Sequence, residues 1–571
     1  MSYGFDPLYC PYPSTRYPVY ARGGMVNSST PQAASAGLEI LRRGGNAMDA
    51  AVAAAAALTV TEPTSNGLGS DAFALIWSEK DQKLYGLNSS GPAPMLLSPE
   101  NLEKDGRIQN GRIEERGWAP VTVPGAVKAW SEVSSRFGRL PFADLLAPAI
   151  DYAENGYPAG ANLAYDWAGL MKHYKANMTG EEFNALYSTF TTGGATPAAG
   201  DLVRLPDLAR TLKTIAESHT EDFYHGELAR RIDAESRKYG GYLRFEDLDR
   251  YKPVWVEPAT VDYRGYTVCE IPPNGQGIVA LMALNILQNL DVSDREDPMT
   301  YHRRMEAMKI AFADGLHAIT DPREYYLDSA ASAGAAGAED SLFADPAAAA
   351  KLPLPEIYRW FMSPEYGKRR AAEITDTAGL YTYLTPPASG TVYFCTADGE
   401  GNMVSFIQSN YEGFGSGIVV EGTGIALQNR GFDFSLDPSA ANFLRPGKRT
   451  YHTIIPGFLM KDGLPVGPFG VMGGYMQPQG HLQVVSNFVD FHLNPQQCID
   501  APRFQWMKEK EFLVESSFDT ELARSLSRMG HKISVELMSG IFGRGQMIVR
   551  TGDGVLCGGT EMRCSGSIAM Y

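Results

Sequence analysis

One hydroxyl side chain, that of Thr391, lies directly after two small residues and directly before a strand-forming run. It follows Ser389-Gly390 in the stretch "SGTVYFCTADGEGNMVSFIQSN". Residues 392–394 favour a strand, 398–402 a turn and 403–407 a second strand, so the pattern predicts a β-hairpin that begins at Thr391. A threonine hydroxyl attacks an amide only when a base activates it. Taken alone, the stretch is also typical of an ordinary hairpin in a sheet.

Other groupings that often carry chemistry are weak in this sequence. The six cysteines form no C-x-x-C pair and fit reduced thiols better than disulfides or a zinc site. His225 and His302 stand beside positive charges without a metal-ligand partner one turn along, and both are interpreted as ordinary helix residues. The stretches "GLGSD" at Gly67 and "GFGSG" at Gly413 lack a full G-x-G-x-x-G, so a nucleotide-binding enzyme is the weakest alternative. We expect no metal and no cofactor.

The elements around this hairpin divide into a helix-rich first part and a strand-rich second part. The first helix is predicted from Pro31, after three N-capping hydroxyls, to Gly44-Gly45, and an alanine-rich helix follows from 47 to about 59. This distribution predicts an α+β fold whose layers share one core. Further helices are predicted near 125–137, 142–154, 208–218, 227–238, 277–290, 301–318, 477–491 and 519–529, and strands within 258–273 and near 391–397, 403–408, 417–420, 425–427, 457–460, 512–515, 532–536, 545–549 and 565–571.

Charge and hydrophobicity limit the classes of partner. The net charge of −16 argues against nucleic acid or an anionic membrane, because both need a basic surface. The N-terminal stretch does not resemble a secretory signal, and the longest apolar tract, residues 47–60, is too short to span a bilayer. We therefore expect a cytoplasmic protein. Residues 328–350 are alanine-rich and, with the segment to 390, predict a long connection outside any sheet.

A series of motifs resembles the γ-glutamyltransferase (γ-glutamyltranspeptidase) family, in order and over nearly the whole chain. The first is "GGMVNSSTPQAASAGLEILRRGGNAMDAAVAAAAALTVTEPTSNGLGSDAF" and the last is "GGTEMRCSGSIAMY". Between them lie "TVPGAVKAW", "GGYLRFEDLDRYKPVWVEPATVDYRGYTV", "EIPPNGQGIVALMALNIL", "YHRRMEAMKIAFADG", "GIALQNRGFDFS", "PGKRTYHTIIP" and "GVMGGYMQPQGH". Chance similarity does not produce such an ordered series.

The resemblance implies a self-cleaving N-terminal-nucleophile hydrolase with a four-layer αββα sandwich. Such a protein cuts itself directly before a threonine, which here is Thr391, so the scissile bond joins Gly390 to Thr391. The products would be a large segment, 1–390, that ends in the connection at about 328–390, and a small segment, 391–571. Together they would form one structural domain. The expected partners are the chain's own second fragment, as a heterodimer, and a second heterodimer.

The resemblance also implies how the threonine is activated and what surrounds it. The freed α-amine of Thr391 can act as the base, because such an amine titrates near about 7.7–8.0 and needs no histidine. Gly473 and Gly474 match paired glycines whose N–H groups form an oxyanion hole, although a glycine turn would look the same. Ser409 matches a threonine that contacts the nucleophile, or is an ordinary strand serine. Asp433 matches an aspartate that binds the substrate α-ammonium, or caps the turn "GFDFS".

The predicted substrate pocket departs from the family pattern. The nucleophile segment begins Thr-Val-Tyr instead of Thr-Thr-His, and Ser90 stands where the family has an arginine that clamps the substrate carboxylate. Three further departures are His452-Thr453 in place of a serine pair, Arg430 in place of a glutamine, and Tyr411 in place of an asparagine, with Asn410 one position away.

These departures bear on the substrate more than on the reaction. Cations for an acidic ligand would come from Arg430 and from His452, although Arg430 could instead form a structural salt bridge. The tract 434–449 is short for the loop that covers the pocket in some members, which predicts an open site. Because open access favours water over an amine as acceptor, we expect hydrolysis above transpeptidation.

The expected function is therefore that of a threonine amidohydrolase. The substrate would be a γ-glutamyl compound such as glutathione, or a related small acidic amide, attacked through an acyl-enzyme. Two alternatives stay open. The chain could be a non-glutamyl acylase or amidohydrolase, of the cephalosporin-acylase or oxamate type, or it could be an uncleaved family member that keeps the fold without catalysis.

Overall fold

The computed structural model of this chain describes residues 16–327, 343, 352–381 and 390–571. Its strands are β1 (Val19–Ala21), β2 (Gly24–Ser28), β3 (Asp71–Ser78), β4 (Lys83–Ser89), β5 (Ile108–Gln109), β6 (Arg112–Ile113), β7 (Tyr157–Pro158), β8 (Leu202–Val203), β9 (Val254–Val256), β10 (Ala259–Tyr263), β11 (Tyr266–Glu270), β12 (Val392–Asp398), β13 (Met403–Ser409), β14 (Val419–Val420), β15 (Ile425–Ala426), β16 (Gly457–Lys461), β17 (Leu464–Met472), β18 (Phe504–Lys508), β19 (Glu511–Glu515), β20 (Lys532–Glu536), β21 (Arg544–Arg550), β22 (Leu556–Thr560) and β23 (Ser567–Met570). Its α-helices are α1 (Pro31–Arg42), α2 (Ala47–Thr61), α3 (Pro99–Lys104), α4 (Ala126–Phe137), α5 (Phe142–Asn155), α6 (Ala161–Asn177), α7 (Asn184–Phe190), α8 (Pro206–Ser218), α9 (Glu221–His225), α10 (Glu227–Lys238), α11 (Phe245–Asp249), α12 (Gly277–Leu287), α13 (Pro298–Gly315), α14 (Glu356–Phe361), α15 (Pro364–Ala371), α16 (Met476–Val489), α17 (Pro495–Asp500) and α18 (Thr520–Arg528).

Two seven-stranded antiparallel sheets form the centre of the molecule. Sheet 1 has the order β23-β2-β12-β13-β3-β4-β9, and sheet 2 has the order β1-β22-β21-β17-β16-β11-β10. Both sheets combine strands from before and after residue 390. The two sheets pack face to face: a Cβ added at Gly470 on β17 would come within 2.4 Å of the Tyr393 ring on β12. This close approach places the ends of β12 and β17 near each other.

Helices cover the outer face of each sheet. The helices α1 and α2 pack against β2, β12 and β13 of sheet 1, and α12, α16 and α17 pack against β11, β17, β21 and β22 of sheet 2. Two large apolar clusters fill the space, one on the sheet 1 side and one between sheet 2 and its helices. The α+β class and the four-layer αββα sandwich expected from the sequence are confirmed.

The alanine-rich helix α2 is buried along its whole length and begins beside the turn of the β12–β13 hairpin. Asn46 and Asp49 form a reciprocal capping box at its first turn. Asp398 accepts the backbone N–H of Ala47 at 2.9 Å, and the Thr396 hydroxyl donates to the Ala47 carbonyl at 2.7 Å. Small side chains let the helix lie close to the sheet, so α2 fixes the hairpin from outside.

Most predicted elements are confirmed, but two that border the site were missed. Helix α6 buries Ala164, Trp167, Met171 and Tyr174, whose helical spacing was a signal present in the sequence. Strand β17 contains two prolines and two glycines, which ordinarily interrupt strands. A β-bulge between β16 and β17 accommodates them, so pairing with two neighbouring strands overrides local propensity.

Residues 328–342, 344–351 and 382–389 of the predicted connection lie outside the described residues. The described part, residues 352–381, contains α14 and α15 and no strand. Five cysteines are free thiols, four of them buried, whereas Cys10 is outside the described part of the chain. No helix in the described ranges has both the length and the apolar character to cross a membrane.

Candidate active site

Thr391 lies directly before β12, is almost fully buried, and contacts the last residue of β13. Its hydroxyl is 3.0 Å from the Ser409 hydroxyl, which donates to the Gly390 carbonyl at 2.8 Å and accepts the Tyr411 N–H at 2.8 Å. Because Ser409 gives its single proton to Gly390, the Thr391 hydroxyl is the donor between the two side chains. The contact polarises the carbonyl of the Gly390–Thr391 bond.

The hairpin register explains why these two side chains meet. Val392 pairs with Gln408, so Thr391 comes opposite Ser409 at the open end of the hairpin. Ser409 in turn pairs with Asp71, the first residue of β3. The Thr391–Ser409 contact therefore follows from local antiparallel pairing.

Gly390 fills a site crowded by backbone. A Cβ at this position would lie 3.0 Å from the Thr64 carbonyl oxygen, 3.1 Å from Ser65 Cα and 3.2 Å from the Glu412 carbonyl carbon. These distances are at the lower limit of ordinary contacts, so a glycine lets the chain approach this closely without displacing its neighbours.

Gly473 and Gly474 join the end of β17 to the start of α16. Both have positive φ, +140° and +59°, and their carbonyls accept the N–H groups of Met476 and Gln477 at 3.0 and 3.1 Å. Their own N–H groups donate to no protein group in the described residues. Unpaired N–H groups at a helix N-terminus suit a developing negative charge.

Thr391 and Gly473 line one open cleft with a volume of about 870 Å³. Helix α6 forms one wall and residues 537–544 form the opposite wall. A small amide therefore has direct access to the hydroxyl and to the glycine turn from solvent.

A cluster of buried polar side chains, here called the charge cluster, lies beyond the hairpin end. Its members are Asp71, Tyr411, Arg430, Asp433, His452 and Thr453. They come from four separate segments of the chain: the start of β3, the residues after β13, the turn 430–433, and the two residues 452–453 that meet the segment before α12 through a bridge to Gly275.

Arg430 uses only part of its hydrogen-bonding capacity within this cluster. Its Nη1 donates to Thr453 Oγ1 at 2.8 Å and lies 3.4 Å from Asp433 Oδ2, and the guanidinium stacks 4.1 Å from the Tyr411 ring centre. Nε and Nη2 are buried and have no protein partner in the described residues. These two donors lie on one edge of the guanidinium, the geometry that binds a carboxylate in bidentate fashion.

Both carboxylate oxygens of Asp433 already have partners. The Tyr411 hydroxyl donates to Oδ1 at 2.6 Å, and Arg430 faces Oδ2. Burial raises the pKa of the Asp433 carboxyl, and the Arg430 charge and the Tyr411 hydrogen bond oppose that shift. A role as a turn cap alone would not account for the contacts of the Asp433 carboxylate with Tyr411 and Arg430.

The surroundings of His452 disfavour the cation that the sequence predicted there. Burial, and then the Arg430 charge, lower its pKa well below the ordinary value. Its Nδ1 accepts the Ile454 N–H at 3.4 Å, and its Nε2 donates to Asp71 at 3.0 Å. Burial raises the pKa of Asp71 to about 7. Asp71 is a cluster member that sequence reasoning missed, because the stretch "GLGSD" that ends in it was weighed only as a nucleotide-binding motif.

The remaining predicted pocket residues lie at the edges of the cluster. Asn410 accepts the Ser70 hydroxyl at 2.7 Å through Oδ1, and its buried Nδ2 has no partner in the described part of the chain. The Ser90 hydroxyl donates to Asn88 at 2.7 Å and accepts the Asn274 side-chain amide at 3.3 Å, so it joins its own turn to the segment before α12. The tract 434–449 folds onto itself through Asn442, which donates to the Asp433 carbonyl at 2.8 Å and the Thr450 hydroxyl at 3.0 Å.

Gln276 is a second residue that sequence reasoning missed. Its Nε2 donates to the carbonyls of Thr453 and Gly474 at 2.5 and 2.9 Å, and its Oε1 accepts the Tyr451 hydroxyl at 2.6 Å. It thus ties the glycine turn to the charge cluster. No local motif marks it, because its partners lie about 175 to 200 residues away.

One grouping of metal-ligand residue types lies away from this site. His302, Glu306 and His531 are buried, with ligand atoms within 4.8 Å of one another. The statement that His302 has no such partner one turn along is wrong, because Glu306 stands there. His302 Nδ1 lies 2.8 Å from His531 Nε2, and His302 Nε2 donates to the Thr375 carbonyl at 2.7 Å. The Lys309 ammonium is 2.5 Å from Glu306. These contacts hold the segment 375–379 in place. They also use ring nitrogens of both histidines and a Glu306 oxygen, which are atoms that a metal ion would need.

The chain is similar to known proteins over nearly its whole length. Residues 33–571 match the family model described as gamma-glutamyltranspeptidase. The glutathione hydrolase-like YwrD proenzyme of Bacillus subtilis is 36% identical over 95% of this chain and 97% of its own length. The oxamate amidohydrolase proenzyme of Klebsiella pneumoniae is 33% identical over 96% and 98%. A crystal structure of a cephalosporin acylase from Bacillus halodurans is 51% identical, covers 99% of both chains and superposes with a TM-score of 0.89.

Proposed function

The chain belongs to the gamma-glutamyltranspeptidase family and is an N-terminal-nucleophile amidohydrolase, and we propose that it hydrolyses amides of dicarboxylic acids. The acyl half of the substrate carries a carboxylate at its far end and no ammonium beside it, as in a glutaryl amide. Thr391 is the proposed nucleophile, and the charge cluster is the proposed site for the acyl group.

The observation that carries this proposal is the unpaired edge of Arg430. A buried guanidinium edge without a partner is costly, because desolvated donors lose their hydrogen bonds to water. The Nε and Nη2 donors are both buried and unpaired in the described residues. A carboxylate on the acyl group would satisfy both at once, and this bidentate pair would orient the amide carbonyl toward Thr391.

The partners of Asp433 decide against an ammonium beside that carboxylate. A γ-glutamyl group carries an α-ammonium that needs a free carboxylate. Asp433 instead accepts from Tyr411 and faces Arg430. Bringing an ammonium to this position would place it next to the Arg430 charge and would displace an existing hydrogen bond. A glutaryl group has the same length and lacks the ammonium.

The proposed reaction begins with cleavage of the chain itself. The Thr391 hydroxyl attacks the Gly390 carbonyl carbon, the C–N bond breaks, and the nitrogen takes the proton and becomes an amine. An ester then joins Gly390 to the Thr391 side chain, and water hydrolyses it to release the carboxylate. Ser409 assists because its hydroxyl donates to the Gly390 carbonyl. The fragments stay together in this proposal, because each sheet contains strands of both.

Turnover uses the same hydroxyl with the new α-amine as base. The amine accepts the hydroxyl proton as the oxygen attacks the substrate carbonyl, and the Gly473 and Gly474 N–H groups stabilise the resulting oxyanion. The proton passes to the departing amine as the C–N bond breaks. Water then attacks the ester and releases the dicarboxylic acid, with the α-amine again taking a proton. Water is the proposed acceptor, because the open cleft leaves the ester at Thr391 accessible to solvent.

The names of relatives support this reading without deciding the acyl group. They include an oxamate amidohydrolase, acylases and a cephalosporin acylase. Glutathione hydrolysis is the second candidate, because several relatives carry that name and a γ-glutamyl group presents the same distal carboxylate. The two candidates differ by one ammonium group.

A matched pair of substrates tests the proposal. Glutaryl-p-nitroanilide and γ-glutamyl-p-nitroanilide share the leaving group and differ only in the α-ammonium. We expect kcat/KM to favour the glutaryl compound by at least about 100-fold, since an unpaired buried charge costs several kcal/mol. Equal rates, or preference for the γ-glutamyl compound, would overturn the proposal in favour of the second candidate. Added glycylglycine should change neither the products nor the rate.

A double variant tests the stated cause. Tyr411→Asn with Arg430→Gln removes both partners of Asp433 and installs the residue types that the family pattern has there. We expect this variant to lose turnover of the glutaryl compound and to improve on the γ-glutamyl compound. Tyr411→Phe alone is the control, because it removes one hydrogen bond and keeps the guanidinium. An unchanged preference in the double variant would show that Asp433 does not set the acyl specificity.

A further inference from the structure

We propose that the open cleft beside Thr391 is a binding site for the amine half of the substrate, and that it selects amines with a large apolar body. This inference rests on the proposed function, because it assigns the other half of the same amide. The acyl group occupies the charge cluster, so the bond that breaks must project the amine into the 870 Å³ cleft lined by Thr391 and Gly473.

Helix α6 presents one face to this cleft. Asn162, Tyr165, Gly169 and Lys172 recur at intervals of three and four residues and all line it. On an α-helix this spacing forms a single stripe. The ring of Tyr165 is 69% exposed, although large aromatic side chains are seldom left so open.

The opposite wall is the segment that joins β20 to β21. Leu537 and Met538 line the cleft and are 80% and 55% exposed. Together with Tyr165 they place three exposed apolar side chains around one opening that leads to the proposed nucleophile. Apolar side chains concentrated at the mouth of a pocket indicate an apolar ligand surface.

The charged groups at the base of the cleft are paired with one another. Arg544 lies 3.0 Å from Glu62 and 3.1 Å from Asp166. Arg563 is paired with two buried carboxylates, those of Glu515 and Glu561. These pairs do not demand a charged amine. Lys172 is a further cation of the lining and has no ion pair among the described residues, so the apolar side chains of Tyr165, Leu537 and Met538 are what support the inference.

Two glycines give the cleft its width. A Cβ built at Gly169 on α6, or at Gly540 on the opposite wall, would meet no atom within 4 Å. Neither residue has a left-handed φ, so a larger side chain is compatible with the backbone at both positions. A leucine at either glycine would project into open space and narrow the site.

The test uses two substrates with the same acyl group and with leaving amines of similar basicity. These are N-glutarylglycine and N-glutaryl-L-phenylalanine. Each is incubated with the self-cleaved enzyme, and the released products are measured by mass spectrometry. We expect kcat/KM to favour the phenylalanine compound by at least about tenfold, because its ring would bury against the apolar rim. A ratio at or below one would overturn the inference.

Variants then locate the preference. Gly169→Leu and, from the opposite wall, Gly540→Leu should each lower the ratio at least fivefold. Ala176→Leu is the matched control, because Ala176 is an exposed residue of the same helix outside the cleft lining, and it should keep the wild-type ratio. An unchanged ratio in both glycine variants would also overturn the inference.

The two proposals fail in different ways. If γ-glutamyl amides are turned over and glutaryl amides are not, the acyl assignment is wrong, and the amine ratio is then measured with γ-glutamylglycine and γ-glutamyl-L-phenylalanine. If glutaryl amides are turned over without an effect of the amine, the acyl assignment stands and the apolar subsite is refuted.

Discussion

The nucleophile hairpin and the charge cluster lie side by side but are built in opposite ways. Thr391 and Ser409 carry no charge and meet through the register of a single hairpin. The charge cluster brings Arg430, Asp433 and Asp71 into a buried space from segments far apart in the chain. The first region depends on local pairing and the second on long-range packing.

This difference explains why the charge cluster can depart from the family pattern while the nucleophile keeps its place. A hairpin that positions a hydroxyl leaves little freedom, because a shift of one residue moves Thr391 to the other face of the sheet. A cluster of buried charges can change as long as each charge keeps a partner. Arg430 stands where the family pattern has a glutamine, and Tyr411 and Thr453 now supply contacts to Asp433 and to Arg430.

The largest expected effect comes from removing the hydroxyl at the hairpin end. Thr391→Ala should leave the chain uncut and lower turnover by about four orders of magnitude or more, because no other group takes the nucleophile's place. A denaturing gel shows one band for this variant and two for the wild type. Thr391→Ser is the control and should restore two bands. If the alanine variant still gave two fragments, Thr391 would not be the nucleophile of self-cleavage.

A smaller effect should separate the two regions. Arg430→Lys keeps a positive charge but loses the bidentate edge, so kcat/KM for a glutaryl amide should fall by about 10- to 100-fold. Self-cleavage should proceed at the wild-type rate, because the scissile bond contacts Ser409 and not Arg430. Cleavage is followed on gels and turnover with the chromogenic amide. Equal slowing of both steps would mean that the regions are not independent.

Ser409→Ala should slow self-cleavage about tenfold, the value of one hydrogen bond to the reacting carbonyl. The variant removes the donor to Gly390 and the acceptor for Thr391. Ser409→Thr is the matched control, since it keeps the hydroxyl that the family pattern has there. A cleavage rate in the alanine variant equal to that of the threonine variant would show that the contact is only structural.

Gly390→Ala should slow self-cleavage by a factor of roughly five, as expected for about 1 kcal/mol of crowding against Thr64 and Ser65. Once the bond is cut, residue 390 no longer precedes Thr391, and turnover per cut molecule should match the wild type. Active-site titration of the cleaved fraction separates the two quantities. Loss of turnover in cut molecules would place residue 390 in the mature site.

The last expected effect concerns stability instead of cleavage or turnover: it is a pH dependence of unfolding that arises in the charge cluster. Burial raises the pKa of Asp71 to about 7, so its protonated form favours the folded state. That contribution is complete below about pH 4 and is lost as the pH rises through about 7. Between these limits the wild type should lose up to about 4 kcal/mol relative to Asp71→Asn, measured by urea unfolding at several pH values. Asp462→Asn, at an exposed turn, is the control and should follow the wild type.

Much of the fold could be predicted from patterns short enough to be read locally. The helix predicted near 125–137 and the strand-turn-strand residue types after Thr391 correctly gave α4 and the β12–β13 hairpin. Strand β17 was missed because its prolines and glycines act against a strand, and only pairing with β16 and β21 makes it one. Helix α6 was missed although its buried residues repeat with helical spacing.

The sequence by itself determined that Thr391 begins a hairpin and that two glycines precede a helix. These are properties of neighbouring residues and of periodicity. Only the tertiary structure decided that burial and the Arg430 charge lower the pKa of His452, that Asp433 is already paired, and that one edge of Arg430 has no partner in the described residues. The physical reason is that protonation and hydrogen-bond partners depend on burial and on groups in other segments of the chain, from 22 residues apart for Tyr411 and Asp433 to 381 for Asp71 and His452, which no local pattern contains.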